Sequence, residues 1–203
     1  MSETAEPGAR SMPGRVKWKR FAIAMVPSAV VAAALIGLTA EGAIGANISV
    51  SGQEYLVTAT QLNGTGFEQF GSQVSQGSKQ IPVAESAIKS ATLSNLCQAV
   101  SMGPVTLLLR AGRSAGNPVS ASNLIVDASS LSGNATFHNV AIGQDAGTLN
   151  QVPGTAGTPG TFGEQADSIT IDNLVQHTWL TTAGTFTLPG LSLGISTSGG
   201  SCP

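Results

Sequence analysis

Charge is scarce in this chain. Only 10% of its 203 residues are Asp, Glu, Lys or Arg, against about a quarter in ordinary soluble domains. Beyond Ala46 the shortage has a sign: Lys79, Lys89, Arg110 and Arg113 stand against Glu54, Glu68, Glu85, Asp127, Asp145, Glu164, Asp167 and Asp172. A net acidic stretch with so few cations cannot track a nucleic-acid backbone, so no nucleic-acid partner is expected. A helical bundle is excluded as well, because its exposed faces would be filled with Glu and Lys. Aromatics make up 4% of the chain, and there are two cysteines and two histidines. No Cys, His, Asp and Glu cluster has ligand spacing, and no phosphate loop, dinucleotide fingerprint or paired-carboxylate motif is present, so no metal and no cofactor are expected.

Against this low charge stands one uninterrupted apolar run. Phe21 to Ala40 is twenty residues without a charge, preceded by Arg15, Lys17, Lys19 and Arg20 and followed at once by Glu41. That length crosses a hydrocarbon core as a helix, and the basic flank holds its N-terminal end in the cytoplasm. Three parts follow: residues 1–20, a basic cytoplasmic n-region; 21–46, a signal peptide or membrane anchor; and 47–203, an extracytoplasmic β-rich domain. Cleavage would fall after Ala46; Ile44 at the minus-three position and the length of the apolar run argue for retention as an anchor. No cysteine lies near the end of the run, so a lipid-anchored lipoprotein is not expected. Export leads into an oxidising space, where Cys97 and Cys202 are expected to pair, the alternative being two buried thiols. Closing a loop of about a hundred residues stabilises a fold by on the order of 4 kcal/mol.

The 157 residues after Ala46 make one domain with a real core. Gly, Ser, Thr, Ala and Val dominate, and the alternation is that of strands. Ile48 to Leu62 reads as a strand with Tyr55, Val57 and Ala59 on one face. Asn63-Gly64 reads as a hairpin turn, and Thr65 to Phe70 as the return strand. Residues 71–80 read as polar loop. Residues 81–100 allow helix or strand, the latter favoured at their end. Val105 to Arg110 and Asn123 to Leu131 read as strands, Ser132-Gly133 as a turn, and Ala135 to Ile142 as the partner strand. Residues 143–163, with Pro153-Gly154 and Pro159-Gly160, predict a long flexible loop of the functional or disordered kind. Thr185 to Ser196 alternates again, with Pro189 marking an edge or bulge. Two segments repeat in order: Tyr55–Gly64 matches Leu124–Gly133, and Ser90–Gln98 matches Ser168–Gln176. The expected fold is therefore mainly β: a single β-sandwich or barrel-like domain from two similar halves, preceded by one N-terminal apolar export or transmembrane helix. Chance similarity among β-prone segments is the other source of such matches.

One stretch has the form of a catalytic motif. Gly112-Arg113-Ser114-Ala115-Gly116 fits the G-x-S-x-G nucleophile elbow and follows an apolar strand. Downstream acids and the two histidines complete the minimum inventory, with Ser114 as nucleophile, His177 as base and Asp127 or Asp172 to orient it. His138, alternating with Phe137, reads as a sheet residue. The elbow also requires a following helix, and Asn117-Pro118-Val119 leads into a strand instead, so an α/β-hydrolase is excluded.

The basic-then-apolar N-terminus, Leu62-Asn-Gly-Thr-Gly-Phe67, Asn95-Leu-Cys-Gln98, Phe137-His-Asn-Val-Ala-Ile-Gly-Gln-Asp-Ala146, Ala183-Gly-Thr-Phe-Thr-Leu-Pro-Gly-Leu191 and the terminal Cys202 resemble a family of exported actinobacterial, mainly Streptomyces, proteins of unknown function. Some members carry the label cholesterol esterase, and the resemblance implies an apolar ester substrate for those without locating a catalytic residue. Two functions follow as expectations. The first is an exported, non-enzymatic envelope protein, secreted or membrane-anchored, that presents an apolar face to lipid or a membrane-associated partner. The second is a secreted lipolytic serine esterase acting on sterol or fatty-acyl esters. Oligomeric state is left open.

Overall fold

The structure, a computed structural model, describes residues 52–197 and 200–202. The n-region, the apolar segment and the start of the first expected strand lie outside the described residues. Four long strands dominate: β1 (Tyr55–Gln76), β2 (Lys79–Ser94), β5 (Val119–His138) and β7 (Phe162–Thr182). They pair antiparallel in a ring, β1 with β2, β2 with β5, β5 with β7 and β7 with β1, which closes a four-stranded barrel. Closure removes the unpaired edges that long, uncharged strands would otherwise expose.

The remaining strands are additions to this ring. After Asn95, β3 (Leu96–Met102) pairs with the start of β1, β4 (Val105–Ala111) with β3, and β9 (Ser192–Ser196) with β4. These three form a wing leading away from the barrel. On other strands, β6 (Ala141–Asp145) adds to β7 and β8 (Thr185–Thr187) to β5. Helix is limited, among the described residues, to a single 3-10 turn at Ala146–Thr148.

Two expected turns are not turns. Gly64 lies within β1, opposite Ala91 on one side and Ile169 on the other. A Cβ there would sit 2.7 Å from Ile88 Cγ2 and 3.0 Å from Ile169 Cγ2, so the glycine admits side chains from the neighbouring strands rather than bending its own. Gly133 is no hairpin turn either, since β5 runs on to His138, but there the β5–β7 register slips between Ser132 and Asn134, the backbone takes φ 154° and a Cβ would meet Ile171 Cγ2 at 2.6 Å. The first hairpin instead turns at residues 77–78, so most of the expected loop at 71–80 is paired strand. Residues 81–100 are strand throughout apart from Asn95, the helical alternative being the wrong one.

The expected flexible loop at 143–163 is ordered. It packs over β1, whose fully buried Glu68 accepts hydrogen bonds from Val152 N–H at 2.7 Å and from the Thr155 hydroxyl at 2.8 Å. Phe70, Ala146 and Leu149 seal a small apolar cluster beneath the loop. A buried carboxylate satisfied by loop donors is costly to break, and this holds an otherwise featureless segment down. At the C-terminus, Leu188-Pro189-Gly190-Leu191 separates β8 from β9, and Pro189 O accepts from Gly112 N–H at 2.8 Å.

Val57, Leu62, Phe67, Ile88, Leu124, Val126, Ile169, Ile171 and Leu174 fill the main core. The two repeated segments occupy strands with common neighbours, since β1 and β5 both pair with β2 and β7. Asn95 and Asn173, aligned by the repeat, both adopt left-handed backbone at φ 55°. Their pairings are not copies: Leu62 faces Leu93, whereas its counterpart Leu131 faces Gln176 rather than Ile171.

Candidate functional site

Ser114 lies in the exposed turn between β4 and β5, closed by a hydrogen bond from Asn117 N–H to Ser114 O at 3.1 Å. Gly112, just before it, is buried and left-handed at φ 63°, and a Cβ there would approach Val119 N to 2.8 Å. The turn is therefore pinned to the first residue of β5. His177 is on β7 opposite Ser130, eleven residues along β5 from Val119. By pairing, His177 faces Leu56 of β1, Leu56 faces Ala99 of β3 and Ala99 faces Leu108 of β4, three strand spacings or about 14 Å, and Ser114 lies six residues beyond Leu108. The structure does not bring Ser114 and His177 together.

His177 has a different neighbourhood from the one expected. Its Nδ1 lies 3.8 Å from Glu54 Oε2, and Glu54 Oε1 accepts a hydrogen bond from the Ser129 hydroxyl. Ser129 also reaches the His177 carbonyl at 3.4 Å. This Ser, His and Glu group has the inventory of a triad in the wrong order, because the hydroxyl donates to the carboxylate rather than to the imidazole. Half of the His177 side chain is exposed, on an open sheet face. Asp172 sits five residues away on the same strand and accepts from Gln61 Nε2 at 2.8 Å.

Asp127 is the most perturbed acid. It is buried on β5 directly opposite Glu85 of β2, one register step before the β2–β5 pairing ends at Ala84 and Ala128. Burial, and then the charge of Glu85, push its carboxyl up to about 6. Burial also raises Glu85, opposed by a hydrogen bond from Ser72. The Tyr55 phenol is raised by burial, partly offset by its bond to Thr181 at 2.7 Å, while Asp127 adds to the rise. Asp127 Oδ1 and the Trp179 indole N–H are buried without a hydrogen-bond partner. Both flank the register irregularity that leaves Trp179 without a counterpart on β5.

Two cavities bear on ligand binding. The barrel interior, lined by Val57, Leu62, Phe67, Leu124, Ile169 and Phe186 among others, holds about 40 Å³. Ligand pockets run roughly 300–1,000 Å³, so a sterol ester does not fit inside it. A second cleft of about 330 Å³ lies on the wing, lined by Asn95, Leu96, Cys97, Arg110, Arg113 and Ser201. Cys97 and Cys202 are bonded beside it, S–S 2.06 Å, with Cα atoms 5.7 Å apart. Among the described residues no three of His, Cys, Asp and Glu converge in a way that could hold a metal ion.

The outer edges carry the exposed apolar side chains. Leu191, Leu193 and Ile195 on and before β9 are 53%, 63% and 73% exposed, and Ile142 and Phe162 flank the opposite edge at β6. None of this was legible as a site, since alternation marks Leu191, Leu193 and Ile195 as one face without saying whether anything covers it.

Fold and surface together define a disulfide-stapled, closed β-barrel with an apolar-edged wing. The family whose description is "Family of unknown function (DUF6230)" matches residues 51–203, and the chain belongs to it. No curated protein matches the chain, and no solved structure does.

Proposed function

We propose that this protein is a non-enzymatic component of the cell envelope that docks on a lipid surface through the edge of its wing. The observation that carries the reading is β9: Leu193 and Ile195 stand exposed on one face of an edge strand containing neither Lys nor Pro. Soluble proteins usually guard such an edge with charge, proline or a covering element. Transferring Leu191, Leu193 and Ile195 from water would contribute roughly 4–8 kcal/mol before orientation costs, the scale of weak, reversible docking. The apolar segment at residues 21–40 supports the same location, because a retained anchor would leave about fourteen residues before β1, a reach of at most roughly 50 Å. The disulfide fits an oxidising space outside the cytoplasm.

Vesicle flotation of the exported protein tests this. Co-flotation with phosphatidylcholine vesicles is expected, and it should fall at least tenfold in Leu193→Ser/Ile195→Ser. Protein that stays at the bottom of the gradient with every vesicle composition overturns the reading. Ester hydrolysis that Ser114→Ala abolishes would replace it with the esterase.

A further inference from the structure

The wing cleft combines features that nothing in the lipid-docking reading uses. Arg110 and Arg113 are two of the four cationic side chains among the described residues, and both line the same cleft. Among the described residues no acid lines it and neither guanidinium has a carboxylate partner; the His177–Glu54 ion pair lies elsewhere in the domain. In a domain whose acids outnumber its cations two to one, two arginines at one concavity with no carboxylate partner among the described residues concentrate positive charge. Arg110 donates to Ser201 O at 3.4 Å, which uses one of its five N–H donors. That contact turns it toward the C-terminal tail, which the Cys97–Cys202 bond holds in place. Arg113 is set by the Gly112 to Asn117 turn, the same stretch that mimics a nucleophile elbow.

We propose that this cleft binds a phosphate group, with Arg110 and Arg113 supplying forked donors from two sides. Guanidinium matches a phosphate oxygen pair in a bidentate arrangement, and two of them balance a dianion. The volume, about 330 Å³, exceeds a bare phosphate, so the remainder of a phosphate-bearing molecule fits beside it along Asn95 and Leu96. Arg110 alternates with Leu109 on β4, and Leu109 faces Leu193 in register. The cleft therefore opens on the face of the wing opposite the apolar strip, and the two sites are separable by mutation. The Gly112-Arg-Ser-Ala-Gly116 turn serves here as a holder for Arg113 rather than for a nucleophile.

The test is calorimetric titration of the exported, disulfide-intact protein with inorganic phosphate and with glycerol 3-phosphate. A parallel arm measures flotation with phosphatidylglycerol and phosphatidylcholine vesicles. Binding of a soluble phosphate, weakened at least tenfold in Arg113→Ala, partly restored in Arg113→Lys and unchanged in Lys89→Ala, is the expected result. Arg113 is on an exposed turn, so its replacement spares the fold; a normal thermal transition checks this. If only phosphatidylglycerol binds, and Arg113→Ala removes its advantage over phosphatidylcholine, the phosphate is lipid-borne and the site stands. The site is overturned if soluble phosphates bind nowhere and Arg113→Ala leaves the phosphatidylglycerol preference intact. It is also overturned if Arg113→Ala and Lys89→Ala weaken binding equally, which is general screening. Flotation lost in Leu193→Ser/Ile195→Ser but not in Arg113→Ala bears on the lipid-docking reading alone.

Discussion

In the barrel each long strand finds two neighbours, and Val119, Ile169 and Leu174 are sealed between them. In the wing β9 pairs, among the described strands, with β4 alone, and its Leu193 and Ile195 face water. Both regions use the same small, uncharged residue types, so composition does not explain why one is buried and the other is not. Ring closure supplies the barrel's cooperativity, whereas the wing has a narrow apolar layer of Cys97, Ala99 and Cys202 with Leu56 and Leu108. A covalent bond between residues 105 apart compensates for that thin layer. The difference places stability in the ring and leaves the stapled sheet available for contacts.

The largest effect expected is loss of the staple. Cys97→Ser/Cys202→Ser should lower unfolding free energy by about 4 kcal/mol, through the loop-closure entropy returned to the unfolded chain. Urea titration gives the magnitude, and hydrogen exchange tests the contrast: amides of β3, β4 and β9 should lose more protection than those of β1 and β7. Uniform loss across both regions would show that barrel and wing are one cooperative unit.

Next in size, Gly64→Val and Gly133→Val should each cost about 1–3 kcal/mol by overpacking the strands beside Ile88, Ile169 and Ile171, with backbone strain at φ 154° adding to the cost at Gly133. Gly116→Ala, at an exposed turn with nothing within 4 Å of the added methyl, should cost less despite its left-handed backbone. Denaturation midpoints rank the three, and equal costs would remove close approach as the reason for the barrel glycines.

A smaller effect comes from the seam between β2 and β5. Asp127 is raised to about 6 in the folded state from 3.8, so the folded protein holds the proton more tightly than the unfolded chain. Its contribution is favourable below about pH 4 and is lost as pH rises through 6. Asp127→Asn should flatten that dependence and raise stability at pH 7.5 by about 1 kcal/mol, less than the full shift because the new amide needs partners of its own. Unfolding at pH 5 and pH 7.5 measures it; an unchanged slope in the variant would assign the pH dependence to other groups.

Least of all should stability respond at the wing's edge. Leu193→Ser is expected to change unfolding free energy by less than about 0.5 kcal/mol while reducing vesicle flotation, because the side chain is already in water when the protein is free. A large stability loss would mean that Leu193 is covered by something in solution.

What the sequence determined by itself was composition-level and local: strands in preference to helices, two cysteines able to meet, and the apolar identity of positions 191, 193 and 195. These follow from alternation and residue type, which act over a few residues. Tertiary structure decided the rest. Asn63-Gly64 and Ser132-Gly133 have turn chemistry, and only the side chains of β2 and β7 pressing on them reveal that each glycine yields space instead. The buried Glu68 fixes a segment whose own composition favours a loose loop. Ser114 and His177 satisfy a motif inventory, yet β1 and β3 lie between the strands that carry them. Arg110 and Arg113 are two charges three residues apart until the tail, held by Cys202, encloses a cleft with them. Each of these depends on contacts between residues distant in the chain, and no local pattern encodes which strand will lie beside which.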